Sequence, residues 1–489
     1  MKGYTEYDAI VIGSGPNGLA AAIVLQQAGC SVLVIEGHEK IGGGLRSAEL
    51  TLPGFTHDIC SAIHPMAVLS PFLSKIPLNE FGLEFIDPPI AAAHPFDDGS
   101  AAMLQSSIHD TANSLMDDGQ RYIKLMQPII KDWPLLVNEL LAPLHLPKSP
   151  LPLLRFGFKA IRSAESLSYL FKGKHARGLW AGMAAHSIQS LHNLSSSAIG
   201  LVLLAAGHIK GWPIPKGGSQ NIANALLNYF ISIGGQVQTG NYVKSLKEIP
   251  SSNAVLFDTT PKQLIQIAGQ DLSFFYQWQL KNYRYGMGVF KMDFALSAPV
   301  PFINEACRNA GTVHLGGTFE EIANSEYQTS VGQHPDKPFV LLAQQSIFDD
   351  TRVPKDKHTV WAYCHVPNGS VKDMSEAIEN QIERYAPGFR NLIIGKHTMN
   401  TFQMQRYNPN YVGGDINGGI IDIRQLFTRP ALRYSPYRTS AKGLYICSSS
   451  TPPGGGVHGM CGYHAAVRVL KDLFPENFIL HKKGDLYVS

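Results

Sequence analysis

Charge is scarce in this chain. Asp, Glu, Lys and Arg make up 16% of its 489 residues, against about a quarter of an average globular domain, and they nearly balance, at +3. So mild a charge, with no basic run interleaved with aromatics, argues against nucleic-acid binding. Cysteine is equally sparse. Cys30, Cys60, Cys307, Cys364, Cys447 and Cys461 are scattered, and no two form a Cys-x-x-Cys pair. That argues against a disulphide framework and a dithiol redox mechanism. The longest apolar run, Ala198 to Ala206, falls far short of the ~20 residues that span a bilayer. There is no Gly-x-Ser-x-Gly elbow and no Walker loop. His186, His192, His208 and His314 lack metal-ligand spacing, so no metal is assigned. The first strand-like run begins a few residues after Met1, so no signal or transit peptide is expected. A reduced, cytoplasmic protein with a large buried interior and an apolar channel is the expectation.

What the chain does have is glycine in two telling places. Tyr7-Asp8-Ala9-Ile10-Val11-Ile12 reads as a strand and runs straight into Gly13-Ser14-Gly15-Pro16-Asn17-Gly18. A helix from Leu19 to Gln27 is stopped by Gly29, and Ser31 to Ile35 forms a second strand ending in Glu36. This is the βαβ dinucleotide fingerprint in its required setting. Gly13 makes the tight turn, Gly15 admits the pyrophosphate, and Gly18 lets helix and strand pack closely. Glu36 accepts hydrogen bonds from a ribose hydroxyl. The phosphates sit at the helix N-terminus, where unpaired N–H groups and the dipole favour negative charge.

A second glycine cluster, Lys40-Ile41-Gly42-Gly43-Gly44-Leu45-Arg46, is unnecessary for NAD. FAD extends further and needs more close backbone approach. Near the other end, Gly443 to Cys447 reads as a strand, followed by Ser448-Ser449-Ser450-Thr451-Pro452-Pro453-Gly454-Gly455-Gly456-Val457-His458-Gly459-Met460 and an apolar helix from about Cys461 to Leu473. Strand, glycine loop and helix N-terminus again suit a negative flavin edge. FAD is the expected cofactor.

With these motifs in place, the chain resembles the FAD-dependent amine-oxidase and phytoene-desaturase superfamily, most nearly a bacterial branch related to pyridine-nucleotide-disulphide-oxidoreductase-domain protein 2. The resemblance covers nearly the whole chain. It includes Cys60-Ser61-Ala62-Ile63-His64-Pro65, Trp212 to Ser219, Val313 to Thr318, Trp361 to Pro367, Asn408 to Asp415 and the loop Pro452 to Gly462. It implies that Glu36 holds the adenosine ribose and that Arg46, after Gly43, Gly44 and Leu45, lies beside the pyrophosphate or flavin. It also implies that the Val243 backbone meets the adenine, and that Ser449, Gly455, Gly456, Val457 and Gly459 line the flavin loop. There are two departures. Ser448 and Ser450 stand where carotenoid desaturases usually have glycine, and the stretch from Val243 to Ala254 is too short for a full β-meander.

The FAD signals lie at both ends and in the middle, so the expected fold is α/β with a discontinuous Rossmann-like FAD-binding domain of the glutathione-reductase-like type. It takes residues 1–65, 211–275 and 416–489. Residues 66–210 and 276–415 form a mixed α+β substrate domain with a helical cap. In the first of these segments Ile108–Val137 and Leu151–Phe171 read as helices; in the second, Gly288–Phe294 and Phe339–Ala343 read as strands.

A buried flavin accepts a hydride at N5 while the protein positions substrate and excludes water. No second GxGxxG appears, so O2, a quinone or another soluble acceptor reoxidises it. His458, inside the flavin loop, is the first candidate proton acceptor, and the bland reading is a backbone brace. His64 could face the cavity or be a satisfied structural histidine, while His365 reads as core. Asn410 and Asp415 could orient a substrate polar group or simply serve turn chemistry. Tyr463 could cover the ring or pack. The expected activity is dehydrogenation or redox isomerisation of a small lipophilic or amphipathic substrate. Rivals are an amine or amino-acid oxidase and, from another class, a non-catalytic lipid or prenyl carrier. Finally, Leu151 to Trp180 mixes Leu, Phe and Trp with Arg155, Lys159, Arg162, Lys172, Lys174 and Arg177. This reads as a peripheral membrane contact or as a solvated cationic face.

Overall fold

The computed structural model describes residues 5–484. A five-stranded parallel sheet runs in the order Leu444–Ile446, Ser252–Phe257, Tyr7–Ile12, Val32–Ile35 and Gln236–Gln238. Its strands come from both ends and the middle of the chain, so the dinucleotide unit is discontinuous. Both faces are covered, which is why its strands read as unbroken apolar runs. Ala9 and Val11 point into a core shared with helices Pro16–Gln27, Gln220–Ser232 and Met460–Leu473, while Ile10 and Ile12 point into the opposite one, against Leu264, Tyr276 and Leu280. Between the strands 236–238 and 252–257 lies a single 3-10 turn, Leu246–Glu248, rather than a β-meander.

The second sheet has seven strands in the order Ile393–Met399, Gly288–Leu296, His358–Val366, Val340–Ala343, Ala310–Leu315, Ile90–Pro95 and Ala101–Leu104. It is mixed: Ala310–Leu315 runs parallel to Ile90–Pro95, and the other pairs are antiparallel. Two of its strands, Ile90–Pro95 and Ala101–Leu104, come from residues 66–210, where the sequence points to helices alone. Pro88, Pro89 and Pro95 bracket the alanine run too tightly for a helix, so Ile90–Pro95 extends instead. One sheet face packs on helix Ser375–Tyr385; the other lies under the cap helices Gly119–Leu140, Lys174–Ala185 and Ser197–Ile209.

Two helices expected as continuous are broken. Ile108–Ser114 and Gly119–Leu140 are separated at Met116, whose φ is 54°. There the Asp118 carboxylate turns away to accept the Lys172 and Gly173 N–H groups, at 2.8 and 2.6 Å. Pro150–Ala160 ends before Ser163, whose hydroxyl accepts the Ser166 N–H and starts a new helix, Ala164–Ser168.

The sheets are joined by a buried ionic knot. Arg352 donates to Asp58 at 2.7 Å, to Asp349 at 2.8 Å and to the Pro215 carbonyl at 2.7 Å. Asp58 also accepts the Ser219 N–H and the Ser47 hydroxyl, both at 2.7 Å. Burial raises the Asp58 pKa, but Arg352 and these donors outweigh it and hold the carboxyl below its usual range. We predict that Arg352→Met destabilises the fold by about 3–5 kcal/mol, since it strands a buried carboxylate. Adding Asp58→Asn should recover part of the loss. Denaturant melts of the three proteins check this, and equal stability of Arg352→Met and wild type would refute it.

Candidate functional site

A cavity of about 550 Å³ lies between the two sheets, within the range of small-molecule and cofactor sites. One end is built by loops at the carboxyl edge of the parallel strands, where open α/β sheets bind ligands. Gly13, Ser14, Gly15, Pro16 and Asn17 line it, with Glu36, Gly43, Gly44, Arg46, Val243, Ser449, Gly456 and Val457. Gly13 turns at φ 101° and Gly456 at φ 124°, backbone conformations that only glycine adopts readily. Glu36 is held from within: its Oε2 accepts the Ser14 N–H at 2.9 Å and hydroxyl at 2.6 Å, and its Oε1 accepts the His38 N–H at 2.9 Å. Arg46 lies over the Tyr407 ring at 4.5 Å and donates from Nε to the Gly43 carbonyl, while its buried Nη1 has no partner. An orphaned guanidinium nitrogen among close-packed glycines is the donor set that an extended dinucleotide anion would satisfy.

Some expected residues sit behind this surface. Gly18 is covered by Asp258, whose Oδ2 accepts its N–H at 3.0 Å. Leu45 is core, and Gly455 and Gly459 shape the C-terminal loop without lining the cavity. Ser448 and Ser450 take over the loop's bracing: the Ser450 hydroxyl donates to the Gly418 carbonyl at 2.8 Å, and Ser448 Oγ accepts the Ser450 N–H at 3.2 Å. Buried Arg429 fixes the same loop by donating to the Ser449 carbonyl at 2.8 Å.

The candidate catalytic groups divide. His458 is buried away from the cavity; its Nδ1 accepts the Met460 N–H at 3.0 Å, and burial pushes its pKa down to about 4. That geometry makes it a brace of the loop. Asp415 also lies off the cavity, accepting N–H groups of Gly286, Asn417 and Gly419 at 2.7, 2.7 and 3.0 Å. Tyr463 is packed against Phe72 with ring centroids 5.5 Å apart. His64 and Asn410 do line the cavity. The Asn410 side chain accepts the Thr260 N–H at 2.9 Å, tying its loop to the parallel sheet. His64 Nε2 lies 2.8 Å from the Ser219 hydroxyl, which itself donates to the Ser61 carbonyl. His64 must then donate from Nε2, which leaves its buried Nδ1 bare.

The other end of the cavity is mostly apolar. Ile63, Ile188, Leu203, Trp212, Leu341 and Trp361 line it, with His186, Thr312 and Tyr363 as polar members. Tyr407 and Tyr411 stand between the two ends, and the Tyr411 hydroxyl reaches to Gly44 and the Cys60 thiol. Asp258 is the group whose role was not expected. Only its place closing the strand Ser252–Phe257, beside the first strand, could have signalled it.

Comparison with known proteins agrees with this architecture. The model of the NAD(P)-binding Rossmann-like domain matches residues 11–74. The pyridine nucleotide-disulfide oxidoreductase domain-containing protein 2 of Rattus norvegicus is 24% identical over 96% of this chain and 94% of its own length. A component of the limonene dehydrogenase of Castellaniella defragrans is 28% identical over 29% of this chain and 26% of its own. Among solved structures, wild-type putrescine oxidase bound to putrescine superposes with a TM-score of 0.60 at 15% identity, covering 95% of this chain and 99% of that one.

Burial raises the Asp258 pKa to about 7, with the Gly18 N–H acting against it. Between about pH 4 and pH 7 the folded protein therefore holds a proton that the unfolded chain releases, and this carboxyl's contribution to stability falls as pH rises. We predict that dinucleotide-free Asp258→Asn is less sensitive to pH across this window and gains on wild type toward its upper end, by on the order of a few kcal/mol. Thermal melts at stepped pH decide it; parallel pH profiles would remove Asp258 as the source. The chain thus carries a NAD(P)-binding Rossmann-like domain at residues 11–74, is homologous over nearly its whole length to pyridine nucleotide-disulfide oxidoreductase domain-containing protein 2, and shares the fold of putrescine oxidase.

Proposed function

We propose that this protein is an FAD-dependent oxidoreductase that dehydrogenates, or redox-isomerises, an apolar or amphipathic organic substrate, in the manner of a phytoene dehydrogenase. One observation carries the reading: a single cavity joins the glycine-lined dinucleotide end to an apolar end floored by Leu341, Trp361 and Tyr363. FAD, when bound, supplies a hydride acceptor at N5. The chain's own residues do the rest. Ser14 fixes Glu36 for the ribose, Arg46 offers its free Nη1 to anionic oxygens, and Val243 closes the adenine end. Tyr407, Tyr411 and the apolar walls hold the substrate carbon and exclude water. Electrons leave to O2 or a quinone. The similarity to a limonene dehydrogenase component supports an apolar substrate, although that match spans under a third of this chain.

Amine oxidation is the second reading, favoured by the likeness in fold to putrescine oxidase. Against it, the carboxylates lining the cavity, Glu36 and Asp258, both belong to the dinucleotide loops, so no anion faces an ammonium at the far end. The purified protein should be yellow, with a band near ~450 nm that bleaches anaerobically on adding a lipophilic polyene or terpene. Bleaching by amines alone would establish the rival. Glu36→Ala should lose most of its bound flavin, and a fully yellow variant would break the ribose assignment.

We further propose a peripheral membrane contact within residues 151–180. On helix Pro150–Ala160, Leu151, Leu154 and Phe158 share one face and are 65%, 55% and 68% exposed. Ile161 and Tyr169 extend this surface, and exposed Arg162 and Lys172 flank it. Lys174 and Arg177 contribute less, since they pair with Asp98 and Glu320. Binding to anionic vesicles that weakens as salt rises is the expected result, with Phe158→Asp binding less. No sedimentation with such vesicles at low salt would leave this face solvated.

A further inference from the structure

The apolar end of the cavity has one feature that an apolar substrate alone does not require. His186, which caps helix Lys174–Ala185, meets His314 from strand Ala310–Leu315, with the two Nε2 atoms 3.0 Å apart. His314 is locked: it is fully buried, and Gly182 lies so close above it that an added Cβ would stand 2.6 Å from its Nδ1. Trp212 closes edge-on against His186, with ring centroids 5.5 Å apart.

Two imidazoles in this contact share a single proton, because two facing N–H groups repel and two facing lone pairs do not bond. Which ring carries it follows from the other side of His314, whose buried Nδ1 has no partner. If His314 accepted at Nε2, its Nδ1 would be a buried N–H with nothing to donate to. If it donates at Nε2, its Nδ1 is a bare acceptor, the cheaper group to leave unsatisfied. His314 therefore donates, His186 accepts at Nε2, and the proton of His186 stands on Nδ1. His186 is the member of the pair that lines the cavity. Burial lowers the pKa of both, that of His186 to about 3, so the pair is uncharged.

Tyr363 supplies a second polar group. In the sheet His314 pairs with Leu341 and Leu341 with Tyr363, which puts His314 and Tyr363 on one face two strands, about 10 Å, apart. Tyr363 lines the cavity, and its hydroxyl has no hydrogen-bond partner among the described residues. The charged groups that line the cavity, Glu36, Arg46, Asp258 and Arg406, gather at the dinucleotide loops and their neighbour Tyr407. His365, 5.6 Å ring to ring from Tyr363, pairs with buried Glu326 at 2.8 Å and neither lines the cavity, so a carboxylate or an ammonium at the His186 end would be buried with no free counter-charge to meet it, which is costly. A carbonyl or hydroxyl oxygen would find a donor there.

We propose that His186, positioned by His314, and Tyr363 form the polar end of the substrate site, and that the substrate is an uncharged, largely apolar molecule bearing one hydroxyl or carbonyl oxygen. This rests on the reading of the cavity as holding a dinucleotide at one end and substrate at the other.

Trp212 and Trp361 line the same end, so ligand entry is readable by tryptophan fluorescence of the flavin-loaded protein. The probes are decanol, methyl octyl ketone, decylamine and decanoate. Wild type should bind the alcohol and ketone about tenfold tighter than the amine or carboxylate, and His186→Leu should lose most of that preference. Tyr363→Phe, nearly isosteric, should lose a few-fold with no change in melting temperature. An amine or carboxylate preference, an unchanged oxygen preference in both variants, or no binding of any probe would overturn the proposal. Flavin content is measured separately by absorbance. A protein that takes up no flavin yet keeps the His186-dependent oxygen preference would refute the oxidoreductase reading and leave this one standing.

Discussion

The Arg352 guanidinium is what the rest of this structure depends on. It comes from the turn after strand Val340–Ala343 and reaches Asp58, a residue of the small hairpin Ser47–Glu49 and Thr56–Asp58 beside the dinucleotide loops. Asp58 in turn receives the N–H of Ser219, which begins the helix Gln220–Ser232. Three separate stretches of chain therefore meet at one buried carboxylate. An ion pair of this kind contributes little net stability over an apolar replacement, but it is demanding in geometry, since any misplacement strands a charge. What it contributes is a fixed separation between the two sheets, and the cavity is the space so defined.

The cavity's chemistry follows from where charge is placed around that space. The dinucleotide end concentrates it, in Glu36 and Arg46, with Asp258 gaining charge as pH rises through about 7, while the other end is lined by neutral polar groups and hydrocarbon. Desolvation enforces the division: His64, His186, His314 and His458 all have pKa values lowered mainly by burial. A histidine kept neutral is a hydrogen-bonding group of chosen tautomer rather than a cation, and its role is set by what its second nitrogen touches. That one rule separates His458, whose Nδ1 is taken up by a backbone N–H, from His64, whose Nδ1 is bare. It also explains the low charge content of the sequence. A chain that buries this much, including a cavity, has few positions where a charge could stay wet.

The dinucleotide end was legible in the sequence because its signal is local. Gly13 to Gly18 and Glu36 lie within one βαβ unit, where a few consecutive residues determine both turn and contacts. The apolar end was not. His186, His314 and Tyr363 come from a helix end and from two strands more than a hundred residues further along the chain, and only the register of the mixed sheet brings them together. Sequence proximity to the flavin loop drew attention to His458 and Tyr463, yet adjacent residues in a tight loop point different ways, and both turn inward. Asp415 shows the same limit. A buried carboxylate accepting three backbone N–H groups is turn chemistry, and no motif distinguishes it from a substrate contact.

The oxidoreductase and carrier readings part at the unsatisfied groups. A protein that only carried an apolar cargo would be better served by filling the glycine-lined end with side chains. That would remove the entropy cost of so many glycines and pair or delete the buried Arg46 nitrogen, whose unmet hydrogen bond is worth about 1–3 kcal/mol. Its cargo would still fit the apolar end unaided. The chain instead keeps both costs side by side, at the N-terminus of helix Pro16–Gln27, where partial positive charge already accumulates. Such strain offsets nothing in the folded protein itself. It is offset only when an anion long enough to touch Gly15, Gly43 and Arg46 together lies across that helix end, which is what the pyrophosphate of a dinucleotide does.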